Sequence, residues 1–143
     1  MDYNYMILFL NEHESDLFIS LINCINEMGI SNLKFDIENN QLRQIKISSG
    51  NDFMISYYIA PEQSGCEEQI IIPNILLGDN YRGKGNFKTI MNCIVVFAKK
   101  TENSVIGFAE IVSSKLREIL LSHNGVINPK ADDWIYIYPE RWI

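Results

Sequence analysis

Between Ile70 and Ala98 the chain passes from an almost unbroken apolar run into a turn with two glycines, then directly into an apolar stripe of helical period. Ile70 to Leu77 has the length of a strand, and one so uniformly apolar belongs in the middle of a sheet with both faces covered. Phe87, Ile90, Met91, Ile94, Phe97 and Ala98 recur at three- and four-residue steps, which predicts a helix from about Gly83 to Lys100 with one buried face. Lys99 and Lys100 complement the negative end of its dipole. A buried strand feeding a helix across a short turn restricts the chain to folds that layer helices on a sheet. Pro73 cannot donate to a ladder, so it belongs at a bulge or where a neighbouring strand has peeled away.

The other elements follow from the same periods. Met6-Ile7-Leu8-Phe9-Leu10 is a continuous apolar run of strand length and is expected as the first strand. Leu17, Phe18, Leu21, Ile22, Ile25 and Met28 predict a helix starting near His13-Glu14 or Ser15, with Gly29 just past its end. Leu33 to Ile37, Leu42 to Ile47 and Phe53 to Ala60 alternate as strands, the first two joined by the turn-forming Glu38-Asn39-Asn40-Gln41. Pro61 to Gly65 breaks the third. After the central helix come a buried strand from Val105 to Ile111, a helix capped by Ser113 or Ser114 and running to about His123, and strands at Val126-Ile127 and Trp134 to Tyr138. The order predicts a single α+β domain over residues 1–143 around a mixed, mostly antiparallel sheet flanked by helices.

Composition excludes several function classes. A net charge of −6 argues against a nucleic-acid partner bound by neutralising phosphates, and an acidic surface favours a cationic one, such as an amine. No apolar stretch approaches the roughly 18 residues of a membrane span, so no membrane partner is expected. No basic residue precedes the short run at Met6, and the expected location is cytoplasmic. Cys24, Cys66 and Cys93 are odd in number and widely spaced, which gives neither a disulfide framework nor a metal-ligand pattern. Cys24 and Cys93 fall in helical apolar patterns, as buried thiols do.

The turn Tyr81-Arg82-Gly83-Lys84-Gly85 has a chemistry of its own. The first amides of a helix have no intrahelical partners and, with the dipole, bind an anion. Glycines let a phosphate approach the backbone, and Arg82 and Lys84 add charge. The segment IIIPNILLGDNYRGKGNFKTIMNCI, residues 70–94, resembles the central motif of the GNAT N-acetyltransferase superfamily, an apolar strand followed by R/Q-x-x-G-x-G/A at the head of a helix. Arg82 and Gly85 match its first two fixed positions, and the order of elements along the whole chain is similar to that fold. In that family the motif strand is bulged and splays from the next strand, and Pro73 fits such a strand.

The resemblance implies an acyl-CoA, typically acetyl-CoA, as cosubstrate, with no metal. Amides of Gly83, Lys84, Gly85, Asn86 and Phe87 would cradle its pyrophosphate beside Arg82. Ile75, Leu76 and Leu77 would bond the pantetheine and acyl carbonyl, and Ser114, where the family usually has Asn, would touch the cosubstrate. Phe87 replaces the usual Gly or Ala, Arg117 the usual Ala, Val126 the usual Phe, and Leu121 the tyrosine that protonates the departing thiolate. Transfer to an amine also needs a base, and Glu67 and Glu68, acting directly or through water, are the candidates, with Glu110 a further one. Tyr136 stands for the acid among the strand tyrosines Tyr57, Tyr58, Tyr136 and Tyr138. Two readings stand: an N-acyltransferase acting on a small cationic amine or a protein, and a GNAT-fold binding or regulatory module without turnover. Trp142-Ile143 at the C-terminal end suggests a docking contact, either within the chain or in a homodimer.

Overall fold

Four strands, each turning back on the last, build one half of the sheet in the computed structural model, which describes residues 2–39, 43–62, 68–101, 105–109, 111 and 114–142. They are β1 (Lys34–Asn39), β2 (Arg43–Ser49), β3 (Phe53–Ala60) and β4 (Gln69–Leu77). Helix α3 (Asn86–Lys100) then carries the chain over to β5 (Val105–Phe108), which runs parallel to β4. Helix α4 (Ser114–Ser122) leads to β6 (Val126–Asn128) and β7 (Ala131–Ile137), and a 3₁₀ turn (Pro139–Arg141) follows. The sheet order is β1-β2-β3-β4-β5-β7-β6, and every pairing except β4 with β5 is antiparallel. This is the expected α+β architecture.

The start of the chain departs from expectation. Met6 to Leu10 is not a strand; it belongs to helix α1 (Tyr3–Phe9), followed after one turn by α2 (Glu12–Glu27). A run of five apolar residues carries no period of its own, and local capping decides its state. Asp2 accepts from Tyr5 N at 2.8 Å and starts α1. Met6 and Leu10, one turn apart, are then 0% and 9% exposed, while Leu8 between them is 79% exposed. Asn11 starts α2, ahead of the expected start at His13-Glu14 or Ser15, through a reciprocal box. Its Oδ1 accepts from Glu14 N at 2.8 Å, and its own N–H donates to Glu14 Oε1 at 2.9 Å.

Each helix places apolar side chains in one core with alternate residues of the sheet. Met6 of α1, Leu21 of α2, Ile94 of α3 and Leu120 of α4 share it with Ile47, Ile55, Ile70, Ile72, Ile106 and Ile135. β4 is central, as its composition requires. On its other face Ile71 is 2% exposed, because it lies over Gly107 of β5, where an added Cβ would meet Ile71 Cδ1 at 2.8 Å and the Tyr136 ring at 3.3 Å. Trp142 docks within the chain: its Nε1 donates to Asn92 Oδ1 of α3 at 2.9 Å, and its ring stacks on His123 at 4.6 Å.

Candidate functional site

Among the described residues β5 pairs with β4 as far as Ile72, opposite Phe108, while β4 continues to Leu77 paired with β3. Past Ala109, whose N–H still reaches the Ile72 carbonyl at 3.4 Å, the chain turns towards β7, and Ile111 N donates to Asp133 O at 2.8 Å. The two parallel strands therefore form a fork. Pro73 sits at its opening. Across β3 the register jumps from Tyr58 opposite Ile71 to Ser56 opposite Asn74, so Tyr57 alone faces both Ile72 and Pro73. This is the expected bulge, and a residue without an N–H leaves no bare donor where pairing ends.

The open arm of the fork leads to the glycine turn. Gly78 N donates to Asp52 O at 2.6 Å, and a Cβ on Gly78 would fall 2.9 Å from the Asp52 backbone, so only glycine lets the β2–β3 turn close against this loop. Gly83 and Gly85 have φ of +72° and +76°, in the left-handed region that favours glycine. Gly85 caps α3 without a side-chain bond, leaving the first-turn amides open to an external acceptor. Around this turn lies a cavity of about 420 Å³ between the end of β4, the head of α3 and one face of α4.

Of the residues the sequence pointed to, Ile75, Leu76, Leu77, Arg82, Gly83, Gly85, Asn86 and Phe87 all line this cavity. Lys84 is exposed on the turn and Ser114 at the start of α4; neither is part of the lining. Tyr81, Lys115, Leu116 and Ile119 complete it. Leu116 also packs against the core, whereas Lys115 carried no motif signal. Within the loop, Arg82 Nε donates to Leu77 O at 2.6 Å, and its Nη1 lies 3.6 Å from Asp79 Oδ1. Asn86 Nδ2 donates to Tyr81 O at 3.0 Å, which occupies its amide in holding the turn. Phe87 also packs against the core, which accounts for a large apolar residue at that position.

Of the candidate acid and bases, Glu68 and Tyr136 do not line the cavity. Glu68 precedes β4 at the closed end of the fork, where its Oε1 is 3.3 Å from His13 Nδ1 of α2. Seven strand residues at about 3.3 Å each put it roughly 23 Å from Ile75. Glu67 and Glu110 lie outside the described residues, as does Cys66. Tyr136 of β7 accepts from Asn128 Nδ2 at 3.2 Å and does not line the cavity. Tyr57 is spent on structure, its hydroxyl donating to Glu14 O at 3.1 Å. Leu121 is exposed on α4, and His123 is covered by Trp142. Among the described residues no cluster of three or more His, Cys, Asp or Glu could hold a metal, and no helix is long and apolar enough to cross a membrane.

A sheet forked between two parallel central strands, with a glycine-capped helix at the open arm, defines an α+β class. The fold is that of the GNAT N-acetyltransferases. The chain superposes on the AtaT Y144F mutant toxin bound to the C-terminus of the antitoxin AtaR with a TM-score of 0.52, covering 77% of this chain and 95% of that one at 6% identity. The same toxin bound to that antitoxin segment and acetyl-CoA gives 0.51 over 77% and 95% at 7% identity. The KacTA–DNA complex gives 0.51 over 92% of this chain and 84% of that one at 10% identity. The likeness is one of fold, and because one of these structures is a DNA complex, the fold alone does not exclude nucleic acid. No protein-family model matches the sequence, and no curated protein matches it significantly.

Proposed function

We propose that the cavity at the head of α3 receives the pyrophosphate and pantetheine of an acyl-CoA, acetyl-CoA in the simplest case, and that the chain transfers its acyl group to a primary amine. The observation that carries this reading is the coincidence of the fork, opened at Pro73, with the uncapped amides of α3 on one cavity. The amides and helix dipole would bind the phosphates, with Arg82 and Lys115 adding charge. The edge of β4 beyond Pro73, which no described strand pairs on the β5 side, would bond the pantetheine amides and polarise the acyl carbonyl, which develops negative charge as the amine attacks. The acidic surface suits a cationic acceptor, either a small molecule or a protein amine.

A binding module without turnover is the second reading. It is favoured by the distance of Glu68 and Tyr136 from the cavity and by the exposed Leu121 at the family's tyrosine position. Titration calorimetry with acetyl-CoA and CoA, followed by thiol release over an amine panel, separates the two. Saturable binding lost in Gly85→Glu and weakened in Arg82→Ala supports the shared site, and thiol release on top of it supports the enzyme. Absence of binding at millimolar ligand would remove both acyl-CoA readings.

A further inference from the structure

Away from the fork, α2 and α3 lie side by side and run in opposite directions. His13 meets Phe97 with ring centroids 5.1 Å apart, and Cys24, further along α2, meets Thr89, earlier on α3. Cys24 is 8% exposed and Cys93 half-buried, and both are free thiols. Cys24 Sγ donates to Thr89 O at 3.7 Å. Thr89 stands one turn before Cys93, so this contact brings Cys24 to the stretch of α3 that carries the second sulfur. The two thiols also interact across the seam, a hydrogen bond between them shaping the ionisation of each. That bond lowers the Cys24 thiol's pKa against the opposing effect of burial; the same bond, with burial, raises that of Cys93. An open cleft of about 670 Å³ between the helices is lined by Cys93 with Asp16, Ser20, Asn92, Val96 and Lys100, giving a small oxidant a path to Cys93.

We infer that Cys24 and Cys93 form a reversible disulfide, stapling α2 to α3, when the protein meets a small hydroperoxide. One thiolate of the pair attacks hydrogen peroxide. Its S–O bond forms, the O–O bond breaks, and hydroxide leaves, taking up a proton as water. The other sulfur then attacks that sulfenic sulfur, the S–S bond forms, and the second oxygen leaves as water. Two thiols and one peroxide become one disulfide and two waters, with two electrons passing from sulfur to oxygen. The bridge encloses β1 to β4 and the glycine turn in one covalent loop, which restricts the unfolded chain. The inference is independent of the acyl-CoA reading.

The test treats the full chain with hydrogen peroxide, quenches it, alkylates remaining thiols and maps peptides without reduction. The expected result is an intramolecular link between the Cys24 and Cys93 peptides that dithiothreitol reverses, with Cys66 still alkylated. The oxidised protein should also melt roughly 5 to 10 °C higher than the reduced one, a difference that Cys93→Ser removes. Links running through Cys66 or between chains, or Cys24 and Cys93 oxidised without a link, overturn the proposal. The map is made on the unaltered chain, so the outcome does not depend on how the variant folds.

Discussion

Arg82 Nε donates to the carbonyl oxygen of Leu77 at 2.6 Å, folding the glycine turn's first cation back onto the strand that precedes it. The remaining guanidinium face meets Asp79 at 3.6 Å, and that carboxylate is almost wholly in water. A phosphate entering the cavity therefore competes with a weak, exposed ion pair. Asp79→Asn is expected to tighten acetyl-CoA binding about threefold, and Arg82→Ala to weaken it about tenfold. Calorimetry on the two variants measures both, and a loss of affinity in Asp79→Asn would contradict this account of the loop.

Gly78 is the position where the loop tolerates least. A Cβ there lies 2.9 Å from both Cα and the carbonyl oxygen of Asp52, backbone atoms that cannot swing aside. Gly78→Ala should cost about 1–3 kcal/mol in urea unfolding, the range of an overpacked site. Acetyl-CoA affinity should fall with it, because the displaced loop carries Arg82. An unchanged urea midpoint would show that the β2–β3 turn gives way easily.

The Tyr57 phenol is held well above its ordinary range, by burial first and by the Glu14 carboxylate second. In the folded protein it keeps its proton at a pH where the unfolded chain has lost it. Its contribution is therefore complete below about pH 10 and declines as pH rises further. Tyr57→Phe should lose about 1 kcal/mol at neutral pH with the bond to Glu14 O, and should flatten the alkaline fall in stability. Urea midpoints from pH 7 to 11 check both; equal alkaline slopes in the two proteins would count against the assignment.

The start of α2 depends on two side chains. Asn11→Ala removes one half of the reciprocal cap and should cost about 1 kcal/mol. Glu14→Ala should cost more, since Glu14 is 5% exposed and also lies 3.5 Å from Arg43 Nη2. Thermal melts of the two variants rank them directly, and the reverse order would place the larger contribution in the Asn11 side chain.

Much of the fold and the floor of the cavity could be read from the chain itself. Alternation in β1 to β3, the apolar run of β4 and the stripe of α3 are local patterns, and they appear where their periods place them. The glycines and Arg82 announced the loop because helix amides and phosphate chemistry constrain which residues can stand there. Helix α1 escaped because Met6 to Leu10 fits either period, and the deciding bond comes from Asp2, outside the run. Lys115 escaped because it reaches the cavity only through the placement of α4 beside β4. Glu68 was given a role by its nearness to the motif strand in sequence, yet it stands at the other end of that strand beside His13. Which end of a strand faces a site is settled by its partners' lengths, and here β5 is the short one.

The bulge opposite Tyr57 also changes the parity of β4. Ahead of it the even-numbered Ile70 and Ile72 face the core; beyond it the odd-numbered Ile75 and Leu77 do, paired with Ile55 and Phe53. A strand of strict two-residue period would present Asn74 and Leu76 there instead. One surplus residue thus sets which side chains of this half of the strand pack against the core. A one-residue deletion or insertion between Ile71 and Asn74 would exchange the two faces of the following half of the strand while leaving every other residue of the chain unchanged.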